Sequence, residues 1–263
     1  WTDFASRLVK TAQGPERGYK FKASLPPPGW EEPLEAAAGH QIICPQSNSF
    51  NFLPDTVRVE ENCLIANVYV PDDVVESLPV VVYVHGGAFA IGYGDMIDPR
   101  EMMNSKKILV VTFNYRLGIH GFLCSGTETA PGNAVVKDQV ALLRWVQKNI
   151  ANFGGNPKDV TIVGSSAGAG SVDLLMVTKM ARGLYNKVIP ESEANTASFA
   201  VNIDPIESAK SFAALLNADI DVNDTYALEE SFIKTSLQDL NTIVMAKTIQ
   251  QLRQDLVWSE ILA

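Results

Sequence analysis

The sequence predicts an α/β fold organised on a mostly parallel sheet, and three observations carry that expectation. Short apolar runs at Leu78 to Val84 and Ile108 to Phe113 have the length of strands buried on both faces, as strands between layers of helix are. Stretches with helical spacing follow them, at Ala134 to Asn152 and after the serine turn, so strand and helix alternate through the middle of the chain. Finally, Phe153 to Ser171, FGGNPKDVTIVGSSAGAGS, reads as a strand, a tight turn and a helix in immediate succession.

Taken in order, residues 1 to 62 are rich in turn formers, Pro26-Pro27-Pro28-Gly29 among them, and read as a meandering cover with short strands. Alternation in CLIANVYV marks a strand from Cys63 to Val70. Ala134 to Asn152 places Val136, Val140, Leu143, Val146 and Ile150 on one helical stripe, which Phe153-Gly154-Gly155 stops. Asp159 to Val163 is the β-branched strand before the serine turn, and Val172, Leu175, Met176 and Lys179 return at helical spacing after it. Lys187 to Ile189 makes one more short strand. From Asp204 onward the pattern is helical, with Asp204 as N-cap, Pro205 in the first turn, and Ile206, Ala209, Ala213 and Leu216 as the buried stripe. No internal repeat or linker divides the 263 residues.

Composition excludes several classes of function. With 21 basic against 30 acidic residues, the net charge of −9 argues against nucleic acid or an anionic membrane as the main partner. The longest apolar run, Leu78 to Val84, is too short to span a bilayer, and Trp1 to Lys10 lacks the basic start and apolar core of an uncleaved signal peptide. A mature secreted chain would look the same. Cys44, Cys63 and Cys124 show no paired spacing and the three histidines stand apart, so neither a metal site nor a cofactor is expected. Cys44 and Cys63 enclose a loop of turn formers and read equally as a disulfide or as two buried thiols; Cys124 reads as a small buried residue.

The chemistry centres on Gly164-Ser165-Ser166-Ala167-Gly168. In a Gly-x-Ser-x-Gly bend the glycines relieve crowding, and Ser166 projects above the sheet beside the first N–H groups of a helix. That geometry suits a nucleophile. Upstream, Val84-His85-Gly86-Gly87-Ala88-Phe89 follows directly on a buried strand, where adjacent glycines let main-chain N–H groups approach a bound group. Attack on a carbonyl builds negative charge on its oxygen, and such charge needs donors. Gly86 and Gly87 from this loop and Ala167 after the serine are the candidates.

The run FGGNPKDVTIVGSSAG resembles the serine signature of the type-B carboxylesterase and cholinesterase family. Cys44-Pro45-Gln46, Glu61-Asn62-Cys63-Leu64, His85-Gly86-Gly87, Asn114-Tyr115-Arg116-Leu117-Gly118, and Ala130-Pro131-Gly132-Asn133 followed by Asp138-Gln139 are similar as well, in family order, with an insect carboxylesterase flavour. The resemblance implies an α/β-hydrolase fold with a mostly parallel central sheet flanked by helices, incomplete in this chain. It also implies Ser166 as nucleophile, Gly86, Gly87 and Ala167 as oxyanion hole, a Cys44 to Cys63 disulfide, and a secreted or lumenal setting. Where many cholinesterase-like relatives carry Glu before the nucleophile, this chain has Ser165, so a small neutral ester is the expected substrate.

A serine hydroxyl needs a base, normally a histidine held by a carboxylate, and in this fold class both follow the serine. No histidine follows Ser166. His85 belongs to the glycine loop, His40 to the N-terminal cover, and His120 to a loop after a strand; Glu229 and Glu230, in a helix after Thr225, are poor triad acids. The chain therefore reads as the N-terminal portion, residues 1–263, of a single esterase domain whose remaining half supplies acid and histidine. Alone it is not expected to form a stable domain, because a half sheet leaves an apolar edge open. Two functions are expected of the parent protein: a serine carboxylesterase, or a catalytically inactive relative used for adhesion, ligand binding or storage. Asn223-Asp224-Thr225 reads either as a glycosylation acceptor or as a helix-capping turn.

Overall fold

The computed structural model describes residues 4–10, 20–26, 41–46, 53–54, 56–72, 77–103, 107–192, 201–216, 219–236 and 239–240, with 4–10 as backbone. The elements in chain order are β1 (Phe4–Lys10), β2 (Gln41–Ile43), β3 (Val57–Val59), β4 (Ile65–Pro71), β5 (Leu78–Val84), α1 (Arg100–Met103), β6 (Leu109–Phe113), α2 (Gly118–Phe122), α3 (Ala134–Asn149), β7 (Gly155–Ser165), α4 (Ala167–Val177), β8 (Lys187–Glu191), α5 (Pro205–Leu216) and α6 (Thr225–Lys234). Six strands form one sheet in the order β1-β4-β6-β5-β7-β8, and β2 pairs with β3 separately. The pairings of β5 with β6, β5 with β7 and β7 with β8 are parallel, whereas β1 with β4 and β4 with β6 are antiparallel. The sheet is mostly parallel, as its apolar strands predict.

Burial explains why the central strands carry so few polar residues. Val80, Val82, Leu109, Val111, Val160 and Ile162 are fully enclosed, packed with Leu142, Leu143, Val146 and Ile150 of α3 and its end, and with Val172 and Leu175 of α4. Each such side chain contributes about 1.5–3 kcal/mol by leaving water. A second core gathers Phe21, Ile119, Leu123, Ala209, Ala213, Leu228 and Phe232, joining α2, α5 and α6. The polar knot of the fold is Arg116. Its Nε and Nη2 donate to the two Asp138 carboxylate oxygens at 2.7 and 2.6 Å, with Arg116 1% and Asp138 4% exposed.

Several sequence expectations need correction. Phe4–Lys10 is a seven-residue strand paired into the main sheet, longer than the short strands expected of a meandering cover. Edge pairing draws on backbone groups, so it needs no hydrophobic period. The stripe of α3 ends at Asn149 and continues as a 3₁₀ turn, Ile150–Phe153, capped by Gly154 at φ 85°. The elbow strand reaches from Gly155 to Ser165, longer than its β-branched centre. Asp204 does cap α5, accepting from Glu207 N–H at 3.1 Å, but Ile206 is exposed while Ala209 and Ala213 are buried. Cys124 is half-buried, not enclosed, in an isolated bridge with Pro131. His40 and the chain after Leu240 lie outside the described residues.

Cys44 and Cys63 form a disulfide, and both are buried. Closing a loop of this length is worth roughly 3 kcal/mol in the chain-entropy account. The bond anchors two side chains that bind the neighbouring loops. Gln46 donates to Gly92 O and accepts from Gly92 N–H, each at 2.8 Å. Asn114 donates to Ile42 O and Cys63 O and accepts from Gly94 N–H.

Candidate functional site

Ser166 stands at the bend between β7 and α4 with φ 56° and ψ −127°, a conformation that costs a non-glycine residue about 1–3 kcal/mol. Its surroundings hold it there. The Ser166 N–H donates to Glu191 O at 3.0 Å, and its carbonyl accepts from Gly170 N–H at 3.1 Å. The flanking glycines are required by space: a Cβ on Gly164 would sit 2.2 Å from Gly168 O, and one on Gly168 would sit 2.1 Å from Val84 O. Their absence of side chains lets α4 begin directly against the end of β5. The serine side is exposed, and Ala167, as the first residue of α4, has an N–H with no intrahelical acceptor.

The glycine loop lies against this bend. A Cβ on Gly86 would meet Ser165 O at 2.7 Å and Ser166 Cβ at 3.2 Å, so the loop and the serine are in direct contact. Gly87 has φ 109°, and Ala88 and Phe89 follow in the left-handed region at 53° and 57°. A tight turn results, with Gly87 O accepting from both Ala90 and Ile91 N–H. Thus Ser166, Gly86, Gly87 and Ala167, singled out by sequence, are brought to one place.

The other candidates are elsewhere or differently occupied. His85 is 1% exposed, with its ring stacked on Tyr115 at 4.1 Å and its Nδ1 2.8 Å from Gly86 O. Burial lowers its pKa to about 4, so the ring is neutral near pH 7 and Nδ1 carries the proton given to that carbonyl. His120 is a residue of α2, not of a loop; it is buried and stacked on Phe21. Glu229 is buried and accepts from Thr127 Oγ1 at 2.6 Å, whereas Glu230 pairs with Lys234 on the surface. Among the described residues no histidine is hydrogen-bonded to Ser166 Oγ, and no group of His, Cys, Asp and Glu could hold a metal ion. Asn223 is exposed in the turn that Asp224 uses to cap α6. Tyr115 is the residue whose role the sequence did not reveal: it stood inside a recognised run, with no sign that its hydroxyl donates to His85 O.

His120 is expected to contribute acid sensitivity. Burial, then the charges of Lys20 and Arg116, lower its pKa from 6.5 to about 3. The unfolded chain binds a proton below 6.5 that the folded chain refuses until about 3, so stability is lost as pH falls through that window. Its Nε2 is buried without a partner, so His120→Phe keeps a ring against Phe21 and removes the titration. Urea midpoints of the intact protein should then fall less between pH 7 and pH 4 in the variant than in wild type. Equal losses would assign the acid sensitivity to other groups.

A cavity of about 470 Å³ opens beside the same loop. Phe89, Phe122, Leu123, Leu174 and Phe212 give it an apolar wall, and Cys124 lies on its lining. No described helix is long and apolar enough to cross a membrane.

Comparison with known proteins follows the same residues. The model of the carboxylesterase family matches residues 9–261. The chain belongs to that family. This carboxylesterase-family chain is 42% identical over 196 residues to the para-nitrobenzyl esterase of Bacillus subtilis (strain 168), across 71% of the chain and 39% of that protein. With neuroligin-3 of Mus musculus it shares 33% identity over 229 residues, 72% of the chain and 28% of that protein. The crystal structure of juvenile hormone esterase from Manduca sexta with OTFP covalently attached superposes with a TM-score of 0.81 at 34% identity, covering 91% of this chain and 46% of that one. The fold is the expected α/β-hydrolase fold, and insect esterases are among its relatives. The carboxylesterase-family chain spans less than half the length of each of these three proteins.

Proposed function

We propose that the protein hydrolyses carboxylic esters through an acyl-enzyme on Ser166. The Ser166 Oγ attacks the ester carbonyl as its proton passes to a histidine base; the bond to the alcohol oxygen breaks, and that oxygen takes the proton. Water then adds to the acyl group, and the acid leaves with Ser166 restored. Gly86, Gly87 and Ala167 N–H groups receive the oxyanion, each worth about 3 kcal/mol of barrier in comparable sites. The base and its carboxylate come from the remaining half of the same polypeptide. The observation that supports this reading most is the strained, exposed Ser166 against the glycine loop. A small neutral ester suits a site in which Ser165, not a carboxylate, precedes the nucleophile, and the apolar cavity offers room for its acyl or alcohol part. The disulfide fits an oxidising, secreted or lumenal compartment, where the exposed Asn223 would be a glycosylation acceptor.

A fluorophosphonate probe tests the reading. The intact protein should acquire one adduct on Ser166, located by peptide mass spectrometry. An unlabelled Ser166 beside a labelled control esterase would favour the second reading, a catalytically inactive esterase-fold protein, to which the likeness to neuroligin-3 lends support.

The same reading makes residues 1–263 the N-terminal portion of one domain. Among the described residues no strand lies beyond β8, and Ile189 on it, with Met176, Val177 and Met180 nearby in sequence, is exposed. Expressed alone, the 263 residues should lack a cooperative thermal transition as a monomer. A sharp monomeric transition would show instead that the half domain is self-sufficient.

A further inference from the structure

Glycines confer a difficulty on an oxyanion loop. Gly86 and Gly87 carry no side chains to restrict their backbone, so nothing within them fixes where their N–H groups aim. Donors that wander stabilise charge poorly, because their reorganisation is then part of the barrier. Something outside the glycines must hold the two peptide planes.

Two buried side chains do so in sequence. The Tyr115 hydroxyl donates to the carbonyl of His85, and the His85 Nδ1–H donates to the carbonyl of Gly86 at 2.8 Å. A trans peptide is planar, with its C=O and the following N–H pointing to opposite sides. Holding His85 C=O therefore aims Gly86 N–H, and holding Gly86 C=O aims Gly87 N–H. The holders are themselves fixed: Tyr115 is 0% and His85 1% exposed, and their rings stack at 4.1 Å with 12° between planes. Tyr115 also leans on Phe113 of β6, so the sheet interior is the reference for both.

We infer that Tyr115 is a positioning residue for the reaction, setting the Gly86 N–H directly and the Gly87 N–H through His85. The inference rests on the acyl-enzyme reading above. It also explains why the Nδ1 proton is where it is: the neutral ring has one proton to give, and Gly86 O takes it.

Tyr115→Phe keeps the ring and removes the hydroxyl. In the intact esterase, with active sites counted by fluorophosphonate titration so that misfolded molecules drop out, kcat should fall about tenfold with KM within about twofold. This is less than the 10²- to 10³-fold loss on deleting a donor outright. Affinity for a reversible trifluoromethyl ketone, whose serine adduct carries an oxyanion, should fall by the same factor as kcat. Tyr185→Phe is the control, since its hydroxyl donates to Leu175 O at 3.0 Å within the scaffold. It removes an equivalent bond and should leave kcat and ketone affinity unchanged. If Tyr115→Phe behaves like this control, or changes KM alone, the inference fails while Ser166 labelling leaves the esterase reading intact. If wild type does not label, the esterase reading itself fails.

Discussion

Replacing Ser166 with alanine is expected to lower kcat for ester hydrolysis by the intact protein about 10⁵- to 10⁶-fold and to abolish fluorophosphonate labelling. The size follows from what is removed. Without Oγ no acyl-enzyme forms, the base has no proton to take, and what remains is the oxyanion donors acting on direct attack by water. Folding should be spared, because the N–H and C=O of residue 166 make the bonds to Glu191 and Gly170, and alanine keeps both. Activity on a p-nitrophenyl ester and the thermal midpoint check the two halves of this statement separately. Retention of more than about a hundredth of wild-type kcat would remove Ser166 from the role of nucleophile.

Asp138→Ala is expected to produce the largest loss of stability, about 3–5 kcal/mol, measured by urea titration of the intact protein. Its carboxylate takes both forks of the Arg116 guanidinium and also the Arg116 N–H at 3.2 Å. The substitution leaves a buried guanidinium with the Lys20 carbonyl, 3.2 Å from Nη1, as its remaining described partner. Desolvation of an unpaired charge, not loss of attraction, sets the magnitude. Removing the charge as well, by Arg116→Met in the same chain, should restore part of the loss. A single-variant cost below about 1 kcal/mol would mean that water reaches Arg116.

The sequence made the elbow and its loop legible because both depend on residue type at fixed spacing. Gly164 and Gly168 are glycines since any Cβ there would collide with backbone oxygen, a demand that leaves a direct mark on the sequence. Buried strands announce themselves through apolar runs for the same reason. By contrast, β1 was hidden, since backbone pairing at a sheet edge puts little constraint on side chains. Tyr115, Gln46 and Asn114 appeared as parts of recognisable runs, but their acceptors lie far along the chain, and only folding reveals which carbonyls they reach. Ile206 shows the opposite failure: helical spacing gives a stripe, whereas the neighbour that should cover it is a tertiary fact.

Among the described residues no strand pairs with the outer side of β8, which bears on how the proposed longer chain would be made. Relatives of this chain are more than twice as long as the part it spans. For the proposed remaining half, a ribosome adding about 5–20 residues per second would take tens of seconds. Under the proposed half-domain reading β8, with Ile189 exposed on it, would emerge before any strand of the remaining half. The hazard would then be one of timing: nascent chains on one messenger could meet edge to edge before either is finished, and slower translation would lengthen their exposure.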